Sequence, residues 1–233
     1  MLAGSLLVRF AVAEEAGRVV PCPRTIGKLT LDGSLADPIW RSIPPLKGFT
    51  KIADGPAEAD TEVRTCYDDT TLYLIATCRE PDVTKIVAKV KEHDADLRAD
   101  DCVEFTLGTK SGKLYHIIAS AAGGVYDASI DPGGWTDESW ASGAKTAVQV
   151  SRKAWGVEVF VPLKTMEVKP ILGTEITLHV LRIRRHTNEM STLVPAPRDK
   201  PVPPTSTVTL KFSAASRGAE EGPRTMKSRK ATR

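Results

Sequence analysis

Apolar and polar residues alternate along most of this chain, in short runs set apart by turn formers. Residues 102–107 show it best: Val103, Phe105 and Leu107 fall on one face, Glu104 and Thr106 on the other. A period of two marks a half-buried β-strand. The signal returns at 114–120, 125–130, 147–151, 155–161, 176–184 and 207–212, with Gly123-Gly124 and Arg152-Lys153 at two of the turns. Residues 62–67 and 72–78 flank Asp68-Asp69-Thr70-Thr71, which predicts a hairpin. Pairing about Asp69-Thr70 sets Cys78 opposite Thr61 or Glu62. Val63, Thr65 and Tyr67 are expected on one face, where Tyr73, Ile75 and Thr77 meet them. Helical signals are few: 37–41, 82–90 and a turn at 164–166. The pattern predicts an all-β fold: a two-sheet antiparallel β-sandwich, jelly-roll or immunoglobulin-like, with one or two short helices.

The stretch from Leu31 to Trp40 marks the domain's entry. Asp32-Gly33 is a tight-turn pair, since Gly tolerates positive φ and Asp can bond the backbone ahead of it. Asp37-Pro38 reads as a helix start, with Asp at the cap and Pro at the first helical position. Ile39 and Trp40 then supply apolar mass for packing.

Length and charge narrow the class. The chain has 233 residues, 41% of them hydrophobic, which is enough for one sizeable core. Net charge is +3, but the excess lies in the tail: Arg217, Arg224, Lys227, Arg229, Lys230 and Arg233 face only Glu220 and Glu221. The body is near neutral, so a nucleic-acid surface is not expected. No apolar run of about 18 residues exists, so no transmembrane segment is expected. Residues 1–20 read as leader and linker, 21–213 as one domain, and 214–233 as a basic disordered tail. Ala11-Val12-Ala13 looks like a cleavage site, but no basic residue precedes Arg9. The leader is read as the end of a truncated secretory signal, implying a secreted or periplasmic protein; a cytosolic leader is the alternative. Cys22, Cys66, Cys78 and Cys102 match no zinc spacing. Cys66 and Cys78 lie more than ~10 Å apart along the hairpin, too far to bridge. Four free, mostly buried thiols are expected, with Cys22–Cys102 the alternative.

Four segments in order carry a family resemblance. They are Leu31 to Trp40, the Tyr67-Asp68-Asp69-Thr70-Thr71-Leu72-Tyr73 hairpin, Asp100-Asp101-Cys102-Val103-Glu104-Phe105, and Trp155-Gly156-Val157-Glu158-Val159-Phe160-Val161-Pro162-Leu163. Over residues 22–185 this resembles the family nine carbohydrate-binding modules, within the DOMON-like β-sandwiches. The resemblance implies two antiparallel sheets that bind oligo- or polysaccharide without cleaving it, in extracellular polysaccharide breakdown, beside a hydrolase partner. In characterised sugar binders of the family, two Trp rings clamp a terminal sugar and structural calcium braces loops.

Trp40 and Trp155 fall in fold motifs and are expected in the core. Trp135 and Trp140 sit in the polar loop Asp131-Pro132-Gly133-Gly134-Trp135-Thr136-Asp137-Glu138-Ser139-Trp140. Trp135 is the leading stacking candidate, Trp140 the loop anchor, and Asp131 a polar neighbour. The segment from His186 to Pro195 has no aromatic residue where a second clamp Trp is expected. Arg182 and Arg184 end a strand, with Arg185 beside them. They are expected to line a polar groove, where Arg donors suit sugar hydroxyls or a uronate, with a solvated strand surface as the alternative. Asp94, Asp96 and Asp100 are candidate calcium ligands, with a solvated acidic loop as the alternative. Glu104 and Glu158 could form a glycosidase pair, but mid-strand positions favour bonds to neighbouring loops. Some DOMON relatives bind haem through Met, His or Lys, and Met190, His186 and Met166 are the residues here. A haem electron-transfer module, or a ligand-free interaction domain, is the rival reading.

Overall fold

A computed structural model describes residues 17–34, 37–52, 55–194 and 207–215. The leader before Gly17 and the basic tail after Ala215 therefore lie outside the described residues. The strands are β1 (Val19–Pro23), β2 (Thr50–Lys51), β3 (Thr61–Tyr67), β4 (Thr71–Arg79), β5 (Cys102–Gly108), β6 (Leu114–Ser120), β7 (Val125–Ile130), β8 (Thr136–Asp137), β9 (Lys145–Val150), β10 (Ala154–Pro162), β11 (Glu175–Arg184), β12 (Glu189–Thr192) and β13 (Val208–Ser213). The α-helix among the described residues is α1 (Pro38–Ser42).

These strands form two sheets. One is nine-stranded and runs β1-β13-β11-β5-β6-β7-β8, with β12 beside β11 and β2 beside β12; the other runs β3-β4-β10-β9. Neighbours are antiparallel except β1 and β13, which are parallel. The inner faces meet in one core. Val103, Phe105 and Leu107 of β5 and Leu178 and Val180 of β11 are packed with Leu72, Leu74 and Ala76 of β4 and with Trp155, Val157 and Val159 of β10.

The hairpin closes where expected, with Thr61 opposite Cys78, but its faces need correction. Val63, Thr65 and Tyr67 pair with Ala76, Leu74 and Leu72, while Tyr73 and Ile75 pair with Cys66 and Arg64. Tyr73 and Ile75 thus lie on the outer face, where Ile39, Trp40 and Ile43 cover them. A strand apolar on both faces has no alternation to fix its sense.

The segment 82–90 also departs from expectation. It holds only a 3-10 turn at Val83–Lys85. Further on, the Asp101 carboxylate accepts from Val87 N (2.8 Å), and Asp100 accepts from Lys89 N (2.6 Å) and Val90 N (2.7 Å). Amides bonded to those carboxylates are not available to a helix. All four cysteines are free and buried. Burial pushes the Cys22 thiol up to about 12 and the Cys78 thiol up to about 11, so both stay protonated and inert.

Two of the sequence motifs meet in one contact. Glu158 is 1% exposed on the outer face of β10. Its Oε2 accepts from Gly33 N (2.8 Å) and Asp32 N (3.1 Å). Gly33 has φ +74, and a Cβ there would lie 2.7 Å from the Val148 carbonyl carbon. Only glycine lets the turn approach β9 and reach the carboxylate. Gly33→Ala should destabilise the fold by about 2–4 kcal/mol through strain and collision. Gly48 shares a positive φ of +91 with nothing within 4 Å of its Cβ position, so Gly48→Ala should cost about 1 kcal/mol. Denaturant unfolding of the two variants checks the difference.

Candidate functional site

Arg182 and Arg184 lie on the same face of β11 as Leu178 and Val180, and that face points inward. Arg182 is 0% exposed. Its Nη1 donates to Ala59 O, Asp60 O and Thr61 Oγ1 (3.2 Å each), and its Nη2 to Arg79 O (2.7 Å). Arg184 makes a two-point pair with Glu80, Nε to Oε2 at 3.0 Å and Nη2 to Oε1 at 3.1 Å. The expected open groove lined by these two arginines is thus replaced by buried ties. A guanidinium taken from water must find acceptors, and the strand ends facing β11 supply them.

At the opposite end of the sandwich stands the Trp135 loop. Trp135 is 75% exposed. Asp131 shapes the loop: its Oδ1 accepts from Trp135 N (2.9 Å), and its own N–H donates to Trp135 O (3.0 Å). Asp131 therefore positions the Trp135 backbone. Trp140 packs on Tyr115 with ring centroids 4.9 Å apart, and its Nε1 donates to Thr165 O (3.3 Å). It anchors the loop. Beside the loop, a Cβ at Gly112 would lie 3.5 Å from Pro132. The Thr109–Ser111 side of that neighbouring turn borders an open cleft of about 250 Å³, with Lys169 and Glu175 on its far wall. The segment lacking a second Trp is filled by Leu193, which is buried in the core.

Asp94, Asp96 and Asp100 do not converge. Asp100 holds the 89–90 backbone as described. Asp94 instead meets His93 and Asp127: His93 Nδ1 lies 2.8 Å from Asp94 Oδ2, and Nε2 lies 3.4 Å from Asp127 Oδ2. A second mixed group joins Glu80, Asp101 and His186. There Arg184 occupies Glu80, which opposes a cation. Neither set is the all-oxygen cage that calcium prefers. The haem-ligand candidates are scattered in role. Met166 is buried in the core, Met190 is exposed on β12, and His186 Nε2 faces Glu80 at 3.9 Å.

A further cluster lies on the outer face of the nine-stranded sheet, where strand alternation places Glu104, His116 and His179. Glu104 receives Arg98 at two points (2.7 and 2.8 Å) and His116 Nε2 (2.9 Å). Burial opposes its charge, but these donors prevail and hold the carboxyl at about 2. His179 is 2% exposed, and its Nε2 has no partner. Burial lowers it to about 4. Buried charges outside the core, with shifted protonation, mark a candidate site. Arg98 was readable only as part of an acidic loop, and the two His as isolated residues. The strand registers Thr106↔His116 and Thr106↔His179 bring them together.

Glu104 and Glu158 are not a glycosidase pair. They occupy opposite outer faces, with the core between sheets that pack about 10 Å apart. Catalytic carboxylates stand about 5–9.5 Å apart across one bond.

These features define a β-sandwich with a surface aromatic ring and a preorganised polar face, the class of a small-ligand recognition domain. The description "Carbohydrate family 9 binding domain-like" matches residues 31–192, and the chain belongs to that family. A search of curated proteins finds no match. Among solved structures, it is similar to a proposed carbohydrate-binding protein of Bacteroides uniformis, with TM-score 0.70 and 13% identity over 85% of this chain and 100% of that one. It is also similar to a family 9 carbohydrate-binding module of Caldicellulosiruptor kristjanssonii, solved with cellotriose (TM-score 0.57, 15% identity, 89% and 100% covered) and with glucose (0.56, 15%, 88% and 100%). At these identities the likeness is one of fold.

The two shifted groups make the fold acid-sensitive in two windows. His179 sits lower in the folded state than its ordinary 6.5, so the unfolded chain takes up a proton first and stability falls from about pH 6.5 to pH 4. Glu104 is also depressed, so its contribution is present above about pH 4.5 and is lost as pH falls toward 2. His179→Gln should flatten the upper window, worth up to about 3 kcal/mol, and Glu104→Gln the lower one. Chemical unfolding at a series of pH values measures both.

Proposed function

We propose that this domain captures carbohydrate chains without cleaving them, outside the cytoplasm and alongside a hydrolase that does the cutting. The observation that carries the reading is Trp135, an indole 75% exposed on a loop whose backbone Asp131 fixes. An exposed indole forgoes about 2–3 kcal/mol of burial. The apolar C–H face of a pyranose is a suitable cover for it. The cleft beside the loop adds the Lys110 and Lys169 side chains and the Thr109 and Ser111 hydroxyls as hydrogen-bonding groups. A single stacked ring and a few hydrogen bonds give modest affinity, which suits reversible hold on a polymer.

The Glu104 face supports a second placement of the sugar. Arg98 is half exposed and keeps guanidinium donors beyond the two bonded to Glu104, and Tyr126 packs beside it against an apolar cluster of Leu97, Cys102, Ile118 and Leu181. No transmembrane helix is present among the described residues, and the four buried thiols fit an exported protein as well as a cytosolic one.

A glycan array followed by calorimetry with cellotriose tests both placements. Wild type should bind at least one glycan, and Trp135→Ala should weaken it by about tenfold or more. Loss in Arg98→Ala with none in Trp135→Ala would move the site to the Glu104 face. An array with no bound glycan would overturn the reading.

A further inference from the structure

The arginine end of the sandwich carries a cleft of about 260 Å³. Its walls are residues 58–60, before β3, and 79–81, at the end of β4, with Lys153 at the turn into β10. Three observations make it a built site.

First, buried arginines shape both walls. Arg182 bonds the carbonyls of Ala59 and Asp60 on one wall and of Arg79 on the other. Arg184 joins Glu80 of the second wall to Glu58 of the first, the latter at 3.5 Å. These ties run through the protein interior, so the cleft is rigid before any ligand arrives.

Second, the acids on the walls are mostly answered. Glu80 holds Arg184, and Glu58 holds Lys51 at 2.8 Å. Their neighbours draw the carboxyls of both below the usual range, although burial opposes this for Glu80. Only Asp60 presents a carboxylate with no cation paired to it among the described residues.

Third, the cations on the walls are not answered. Arg79 and Lys153 are exposed, line the cleft, and make no side-chain hydrogen bond or ion pair among the described residues. They sit together because Arg79 pairs with Ala154 across β4 and β10. A guanidinium fork beside a mobile ammonium is a receptor for a carboxylate.

We propose that this cleft binds the carboxylate of a uronic acid residue, so that the domain holds acidic polysaccharides through a subsite distinct from Trp135. The inference rests on the carbohydrate-binding reading. The cleft is smaller than drug-sized pockets of about 300–1,000 Å³ and takes one sugar ring. Arg79 and Lys153 grip the carboxylate, and Asp60 accepts from ring hydroxyls on the opposite side. A free carboxylate lacks the ring hydroxyls and gains less. The cationic pair also repels amino sugars, which excludes the opposite charge class.

The test compares trigalacturonate with its fully methyl-esterified form by calorimetry at low salt. The two share a backbone and differ at the carboxyl groups, charged in one and capped by methyl in the other. Wild type should bind the acid about tenfold or more tightly than the ester, the usual consequence of charge-assisted hydrogen bonds. Arg79→Ala/Lys153→Ala should abolish that preference, with cellotriose binding and melting temperature unchanged, because both side chains are exposed. Trp135→Ala should keep the preference. Equal binding of acid and ester by wild type would overturn the proposal, as would a preference that survives the double variant. Acetate bound as tightly as trigalacturonate would also overturn it, by showing an anion site with no sugar reading. If cellotriose binds while acid and ester do not differ, only this inference fails. If no glycan of either kind binds, the carbohydrate reading fails with it.

Discussion

The arrangement of this domain turns on one side chain, Arg182. It leaves β11 in the nine-stranded sheet and ends on the backbone of the four-stranded sheet, bonding carbonyls that precede β3 and close β4. Two sheets packed through apolar faces can slide, because dispersion and burial have little direction. A guanidinium with fixed fork geometry does not slide. Arg182 therefore fixes how the sheets meet at this end. The desolvation of a fully buried cation costs several kcal/mol, and Glu80 Oε2 at 3.8 Å offsets part of it. A well-packed apolar residue would do as well for stability. What it would not do is fix the walls of a cleft.

Much of the fold was legible because the alternation of residues is a backbone property. Most strand positions, the helix start at Pro38 and the burial of Trp40 and Trp155 follow from period and turn chemistry, although the Asp37 carboxylate accepts from Thr30 N (3.0 Å) and does not cap the helix. Where two neighbours compete for the same polar group, the reading failed. Residues 82–90 have helical character, but the carboxylates of Asp100 and Asp101 take the amides of Val87, Lys89 and Val90. β12 has no apolar period to announce it, and β4 is apolar on both faces. The site residues were legible by the same rule that found the strands. Continuing the alternation from Leu178 and Val180 puts Arg182 and Arg184 on the core face. A charged residue on a core face is a buried tie, and the habit of placing arginine at the surface hid it.

Most acids of the family motifs are engaged by backbone amides, and their chemistry explains why. Glu158 is held by the Asp32-Gly33 turn, so residues 125 and 126 positions apart in sequence make one contact. Asp100 and Asp101 hold a neighbouring chain segment. Asp68 accepts from Thr70 N (2.7 Å) and Thr71 N (2.8 Å) inside its own hairpin. Each acid replaces water on backbone N–H groups that no strand pairs, and an acid used this way has little left for a ligand. Glu104 is the exception, since its partners Arg98 and His116 are side chains, and Arg98 keeps donors of its own.

That division separates the parts that make the sandwich from the parts that make it selective. Residues bonded to backbone are insensitive to what approaches from solvent. Side chains open to solvent can respond to a ligand, and here these are the exposed Trp135 ring, the half-exposed Arg98, and Arg79 and Lys153 on the cleft wall. They lie at loops and strand ends, where a change of residue leaves the ladders intact. On the proposed reading, substitutions at the rim change ligand preference from neutral to acidic sugars, while Arg182 and the Glu158 contact keep the frame on which those side chains stand.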